Sequence, residues 1–264
     1  TNLVSMADNI MVGQLGTNQM SGVAIINQLF FVFNLLVFGG MSGAGLFSAQ
    51  YFGQKNHNGV RNVFRMKILI GITIIAISIS VMIFLHEPLI NMFLHEGSSS
   101  GNIQETFNYA KNYLYIMVIG IAPFVISNCY NTTLKESGQT VVPMKAGVLA
   151  VVFDIVLNYI FIFGKLGFPA MGVVGAAIAT VISRFVECGY LVIYTHIHSN
   201  DYPFIKHCYR TLKVPGSLVK KIIVTGAPLM LNEFLWAGGL TLQTQALSTK
   251  GLATRSEGRR VGKE

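Results

Sequence analysis

Residues 146–164 read AGVLAVVFDIVLNYIFIFG, a run in which Asp154 is the only charged residue. About 18 consecutive apolar residues are enough for a helix to cross a bilayer. Asn158 follows Asp154 by four residues, and side chains at that spacing share one face of a helix. The stretch therefore predicts a membrane-spanning helix that carries a carboxylate and a carboxamide side by side near its middle.

The rest of the chain has the same character. Of its 264 residues, 52% are hydrophobic and only 11% are charged, and the mean hydropathy is +0.55. Soluble domains carry roughly 25% charged residues, so a soluble enzyme, a secreted disulfide scaffold and a disordered chain are excluded. We predict an all-α polytopic membrane protein. Its first span is truncated (1–15), and the complete spans cover 22–54, 68–85, 113–133, 146–164, 171–194 and 222–247.

The charges of the connections predict how the protein lies in the membrane. The connections over 55–67, 134–145 and 196–221 are rich in Lys and Arg, whereas 86–106 contains three glutamates and no Lys or Arg. Basic connections face the cytoplasm by the positive-inside rule. We therefore expect these basic connections and the N-terminal side to be cytoplasmic, in the plasma (inner) membrane of a bacterium.

One long polar connection divides the chain. Residues 201–216 contain two prolines and separate apolar regions on either side, which predicts a cytoplasmic linker between two lobes. The N-terminal lobe then covers 1–200, and 217–254 begins a second lobe. The basic run 255–264 departs from this pattern, and we expect it to be non-native.

Three acidic residues fall within apolar segments: Asp8, Asp154 and Glu233. Each costs roughly 2.5–3.5 kcal/mol at the centre of a spanning helix, so an acid there suggests a functional site. The Asp154–Asn158 pair can share a proton or offer oxygen ligands to a small hard cation.

Other chemistry finds little support in the sequence. The three cysteines are far apart, His196 and His198 have no acid at ligand spacing, and no hydrolase or nucleotide-binding motif is present. We expect no cofactor, no bound transition metal, no enzymatic activity and no nucleic-acid partner. Arg184 and Glu187, three residues apart, are expected to form a structural ion pair. Gly39-xxx-Gly43 and the small residues over 172–179 predict close helix packing.

Five segments of the chain resemble the multidrug and toxic compound extrusion (MATE) transporters. Together they extend over nearly all of residues 1–254. They are ADNIMVGQLG (7–16), SAQYFGQ (48–54), LKESGQTVVP (134–143), DIVLNYIFIFGKLGFPAMGVVGAAIAT (154–180) and APLMLNEFLW (227–236).

The resemblance implies a twelve-helix exporter of two six-helix lobes, of which this chain holds the first lobe and the first helix of the second. It implies efflux coupled to inward movement of protons or sodium ions. The family's ion-site and substrate-site positions fall on Asp8, Asp154, Asn158, Thr180 and Glu233. The family commonly has Asn where this chain has Asp154. Two nearby carboxylates favour protons, but Na⁺ at Asp8, Asp154 and Asn158 would also neutralise them.

The expected function is export of drugs and toxic organic compounds, cationic or amphipathic, by alternating access. The alternative is a flippase for lipid-linked oligosaccharides or polysaccharides, which has a related architecture. A flippase would need several basic residues in its cavity, whereas Arg184 is the only Lys or Arg well inside a predicted span. A single lobe is expected to need the missing C-terminal lobe and the lipid bilayer as its partners.

Overall fold

The computed structural model describes residues 11–97, 102–229, 231–232, 235–236 and 239. Within these ranges the regular structure is helical, without β-strands. The main helices are α1 (Thr17–Gly53), α2 (His57–Phe84), α3 (His86–Gly97), α4 (Ile103–Ile119), α5 (Ile121–Glu136), α6 (Val141–Phe163) and α7 (Val173–Ile197). A 3₁₀-helix (Cys208–Arg210) and helix α8 (216–229) follow.

Five of the predicted spans correspond to these helices. Helices α1, α2, α6 and α7 are each long and apolar enough to cross a membrane, and α4 with α5 forms a fifth candidate span bent by 47°. The predicted all-α membrane architecture is confirmed. The predicted first span (1–15) lies largely outside the described residues, and of the last predicted span (222–247) only 222–229, 231–232, 235–236 and 239 are described.

Helix α2 begins earlier than predicted, at His57 rather than at residue 68. The side chain of Asn56 caps its first turn by accepting a hydrogen bond from the backbone N–H of Gly59 at 2.9 Å. The basic stretch expected as a loop is therefore mostly helical. Its charges mark the polar end of a long helix and not a gap between helices.

The bend between α4 and α5 has a local cause. Pro123 has no backbone N–H, and its ring would clash with the carbonyl of Ile119 in a continuous helix. The helix is interrupted at Gly120, and side chains of α7 pack closely against this glycine. A Cβ at Gly120 would lie 3.2 Å from Arg184 Cδ and from Val181 Cγ2. The bend therefore lies directly against α7.

Small residues allow the helices to approach one another, as predicted. A Cβ at Gly175 of α7 would lie 2.7 Å from the carbonyl of Phe161 in α6, so backbone meets backbone there. Gly43 of α1 is in similarly close contact with Gly226 of α8. In lipid the hydrophobic effect does not drive helices together, so van der Waals contacts at such close approaches supply much of the free energy of helix association.

The predicted linker is folded against α2. Arg65 donates from Nε to the carbonyl of Cys208 and from Nη2 to that of His207, both at 2.9 Å. Arg61 Nη2 donates to the carbonyl of Pro203 at 3.0 Å. The ring of Phe204 is buried and packs edge-on against Phe64. The connection is thus a docked segment, and its role between two lobes stays a prediction.

Enlarging Gly175 should separate α6 from α7. We expect Gly175→Leu to destabilise the full-length protein by about 1–3 kcal/mol or more, because the new side chain meets backbone that cannot rotate away. Thermal unfolding in detergent measures this. Gly189→Leu on the same helix is the matched control, since its added Cβ has no neighbouring atom within 4 Å. Equal stability of the two variants would contradict the packing argument.

Docking of the connection should protect a cysteine. Cys208 is buried, and burial raises the pKa of its thiol above the usual range. A raised pKa leaves less thiolate at neutral pH, so labelling by a maleimide should be slow at pH 7 and faster as pH rises.

We expect Arg65→Ala to release the segment and expose Cys208, with the label located by peptide mapping. Arg210→Ala removes an exposed charge from the same segment and should leave the thiol protected. Continued protection in Arg65→Ala would show that the two arginine hydrogen bonds are not what holds the connection.

Candidate functional site

The predicted pair on α6 lies in the interior of the protein. Asp154 is 2% exposed and Asn158 is fully buried. Asn158 Nδ2 donates to Asp154 Oδ2 at 3.2 Å. The two side chains therefore share one helical face, as their spacing predicts.

Helix α7 completes the cluster with a residue that sequence reasoning missed. Ser183 Oγ lies 3.1 Å from Asp154 Oδ1 and 2.8 Å from the carbonyl oxygen of Thr180. Thr180 was predicted, and its hydroxyl donates to the carbonyl of Ala176 at 3.1 Å. Thr180 thus contributes its backbone carbonyl to the network around Ser183. Ser183 lies three residues after Thr180, a spacing that places both on one side of α7.

The hydrogen bonds that the Ser183 hydroxyl can form depend on whether Asp154 is protonated. It has one proton and two acceptors within reach, so it satisfies Asp154 or Thr180 but not both. A protonated Asp154 can donate to Ser183 Oγ while Ser183 donates to Thr180, and both bonds then form. A bound cation can instead satisfy these oxygens directly. The hydrogen-bonding capacity of the cluster therefore differs between a charged and a neutralised Asp154.

Arg184 brings a positive charge close to this cluster. Its guanidinium carbon lies 5.3 Å from the ring centre of Phe30 and 5.0 Å from that of Phe124. It also donates to the carbonyl of Gly120 at 3.4 Å, at the bend between α4 and α5. Arg184 also interacts electrostatically with Asp154. The arginine is thus held in the lobe by two aromatic faces and a backbone acceptor.

The predicted Arg184–Glu187 ion pair is wrong. Among the described residues, the ion pairs within 4 Å are Lys67–Glu136 and His86–Glu87. Arg184 turns toward the aromatic rings of other helices, where cation–π attraction replaces a carboxylate. Glu187 still contributes to the electrostatic environment of Arg184, at longer range.

A second buried charge cluster joins α2 to α5, and it was not predicted from the sequence. Lys67 is fully buried, and its ammonium lies 2.6 and 2.8 Å from the two carboxylate oxygens of Glu136. It also donates to Thr132 Oγ1 at 3.0 Å and to Thr133 Oγ1 at 3.3 Å. A Cβ at Gly45 of α1 would lie 2.5 Å from Glu136 Oε1. Glycine there leaves room for the carboxylate, and three helices meet at this ion pair.

Removing one partner of this pair should be costly. In Lys67→Met the carboxylate of Glu136 stays in the protein without its cation, and such a loss typically costs about 3–5 kcal/mol. Thermal unfolding of the full-length protein checks this.

Lys135→Met is the matched control, because Lys135 is exposed on the same helix as Glu136. The double variant Lys67→Met/Glu136→Leu, which removes both charges, should recover much of the loss. If Lys67→Met unfolds at the same temperature as the control, the buried pair has no such role.

An apolar cavity of about 450 Å³ lies between α1, α2 and α8. Its wall includes Gly40, Thr73 and Gly226, and none of its lining residues is charged. This volume falls in the range of small-molecule sites. The lining offers apolar contact with one hydroxyl and supplies no ionic recognition.

Asp8 and Glu233 lie outside the described residues, so their assignment stays a prediction. His196 and His198 each direct Nδ1 at a carbonyl of their own helix, Val192 at 2.8 Å and Tyr194 at 3.0 Å. In the part of the chain that the structure describes, no three His, Cys, Asp or Glu side chains converge as metal ligands would.

Fold and cluster together define a multi-pass, all-α membrane protein with a buried polar site between its helices. A family model described as MatE matches residues 1–160. The chain belongs to the MATE family, which confirms the resemblance of its motifs.

Relatives and a solved structure agree with this assignment. The "Probable multidrug resistance protein NorM" of Thermotoga maritima is 31% identical over 260 residues, covering 98% of this chain and 53% of that protein. The protein of the same name from Halalkalibacterium halodurans is 30% identical over 94% of this chain and 52% of its own length. A crystal structure of a MATE in the bent conformation has a TM-score of 0.72 at 27% identity, over 88% of this chain and 49% of that one. The chain thus spans about half the length of the relatives it matches.

Proposed function

We propose that this chain forms the first lobe of a cation-coupled antiporter that exports drugs and other small organic compounds by alternating access. The observation that carries the proposal is the Asp154 carboxylate, 2% exposed and bonded by Asn158 and Ser183. Burying a carboxylate in a spanning helix costs free energy. The groups around Asp154 can form hydrogen bonds both when it carries a coupling ion and when it does not. Coupling requires such a pair of states.

The proposed ion site consists of Asp154, Asn158, Ser183 and Thr180, together with Asp8. Loading with a proton completes the hydrogen bonds of Ser183, as described above. Sodium would use the oxygens of Asp154, Asn158 and Thr180, which are hard ligands of the kind that such ions prefer. Glu233 is proposed as the contribution of the second lobe. The proposed coupling ion is a proton or a sodium ion.

The proposed substrates are small, amphipathic or cationic organic compounds. Support comes from the relatives, whose names describe multidrug resistance proteins, and from the apolar cavity of about 450 Å³. The flippase alternative is not favoured, since a pyrophosphate-linked substrate needs basic residues and the described cavity is lined by none. The proposed exporter requires both lobes and a bilayer.

Replacing the central carboxylate tests the proposal. We expect Asp154→Asn to abolish ion-coupled efflux of a fluorescent organic cation, such as ethidium, from a drug-sensitive bacterium that lacks other efflux pumps. The isosteric amide keeps the size of the side chain and removes the charge that the coupling ion neutralises. A loss of at least tenfold in efflux rate, about 1.4 kcal/mol or more, is expected.

Asp201→Asn is the matched control, because the same chemical change falls on an exposed residue and should leave efflux intact. Unchanged efflux in Asp154→Asn, with normal membrane insertion, would refute the assignment of Asp154. The same assay, run with a proton uncoupler and separately without sodium, identifies the coupling ion by which condition alone stops efflux.

A further inference from the structure

A groove of about 430 Å³ lies at the end of α7, where the connection folds back. Its lining includes His196, Lys206, His207, Tyr209 and Arg210. None of these residues belongs to the Asp154 cluster.

The backbone of this groove is fixed before any ligand binds. Arg65 holds the carbonyls of His207 and Cys208 from α2, and Ile205 and Cys208 are buried beneath the segment. His207 has a φ of 60°, a left-handed conformation that is uncommon for a residue other than glycine. Such a conformation persists where the surrounding contacts impose it. The groove is thus a built feature, not a chance depression in a mobile loop.

The groove carries positive charge without local compensation. Lys206 and Arg210 line it, Lys213 follows, and all three side chains are exposed. Lys206 donates to the amide oxygen of Asn200 at 2.7 Å, and no ion pair of the described chain involves any of the three. Between residues 196 and 221 there are five Lys or Arg and a single acid, Asp201. An anion is the ligand that this arrangement favours.

Exposed apolar side chains lie within two residues of the groove lining along the chain, and Tyr209 is part of that lining. Ile197, the last residue of α7, is 73% exposed, and Tyr209 and Leu212 are 53% and 43% exposed. The groove therefore lies where a spanning helix leaves the membrane, with apolar surface next to cationic groups. A soluble anion would use only the charges, whereas a phospholipid uses both.

We propose that this groove binds the phosphodiester headgroup of an anionic phospholipid, with its acyl chains against the exposed apolar residues. Lys206 and Arg210 donate to the phosphate oxygens, and Tyr209 lies at the level of the headgroup, as interfacial tyrosines do. The inference requires that α7 spans a bilayer and does not depend on what the protein exports.

Lipid binding to the purified full-length protein tests the proposal. The protein in neutral detergent is titrated with dioleoyl phosphatidylglycerol or with dioleoyl phosphatidylcholine, and bound lipid is measured by native mass spectrometry. We expect tighter binding of the anionic lipid. Lys206→Gln/Arg210→Gln should weaken it on the order of 30-fold, and each single change about fivefold, since each basic residue near an anionic surface contributes a factor of about five.

The matched control is Lys135→Gln/Lys145→Gln, which removes two exposed charges from another basic connection and should leave binding unchanged. Protection of Cys208 from maleimide reports whether the variant connection is still folded. If the double variant loses that protection, the two single variants decide the outcome.

Three results would overturn the proposal. Equal binding of the two lipids would exclude recognition of the headgroup charge. Equal weakening in the control would assign binding to the general positive charge of the face. Full competition by inorganic phosphate would assign the groove to a soluble anion. Each result leaves the efflux proposal standing, because none of them measures transport.

Discussion

The constraint on which this part of the structure depends is that the carboxylate of Asp154 is buried away from water. A charged or protonated acid there needs partners within hydrogen-bonding distance. Asn158 supplies one from the same helix, and Ser183 supplies another from α7. The second partner is available only if α6 and α7 are nearly in backbone contact. Gly175 permits that contact at Phe161, so a glycine without polar chemistry sets the geometry of the polar site.

The same rule explains the other charges inside the lobe. Lys67 is paired with Glu136 and bonded to two threonine hydroxyls, and Arg184 is held between two aromatic faces. These two cations illustrate different solutions. The compact ammonium of lysine takes several oxygen acceptors, whereas the flat guanidinium stacks on rings. In each case the partners come from other helices, so each charge also fixes the relative position of its neighbours.

The features that could be predicted from the sequence are those determined by the spacing of residues within one segment. The spans, the shared face of Asp154 and Asn158 and the close packing over 172–179 all depend on residues within one helix or on a residue type with a single structural use. Pairings across helices were not accessible in this way. Lys67 and Glu136 are 69 positions apart, and a basic residue near a loop is ordinarily assigned to the surface. Arg184 was paired with Glu187 because their spacing allows it, and the aromatic rings that hold it come from α1 and α5.

Helix α7 joins the polar cluster to the bend in the neighbouring span. Ser183 contacts Asp154, and the next residue, Arg184, donates to Gly120 where α4 and α5 meet. Pro123 has already removed one hydrogen bond from that bend, so its backbone is less constrained than a continuous helix. Arg184 therefore donates a hydrogen bond to the part of the span whose own helical hydrogen bonding is interrupted, while Ser183 is hydrogen-bonded to Asp154. A rotation of α7 large enough to change one of these contacts would change the other, because adjacent residues of a helix cannot move independently.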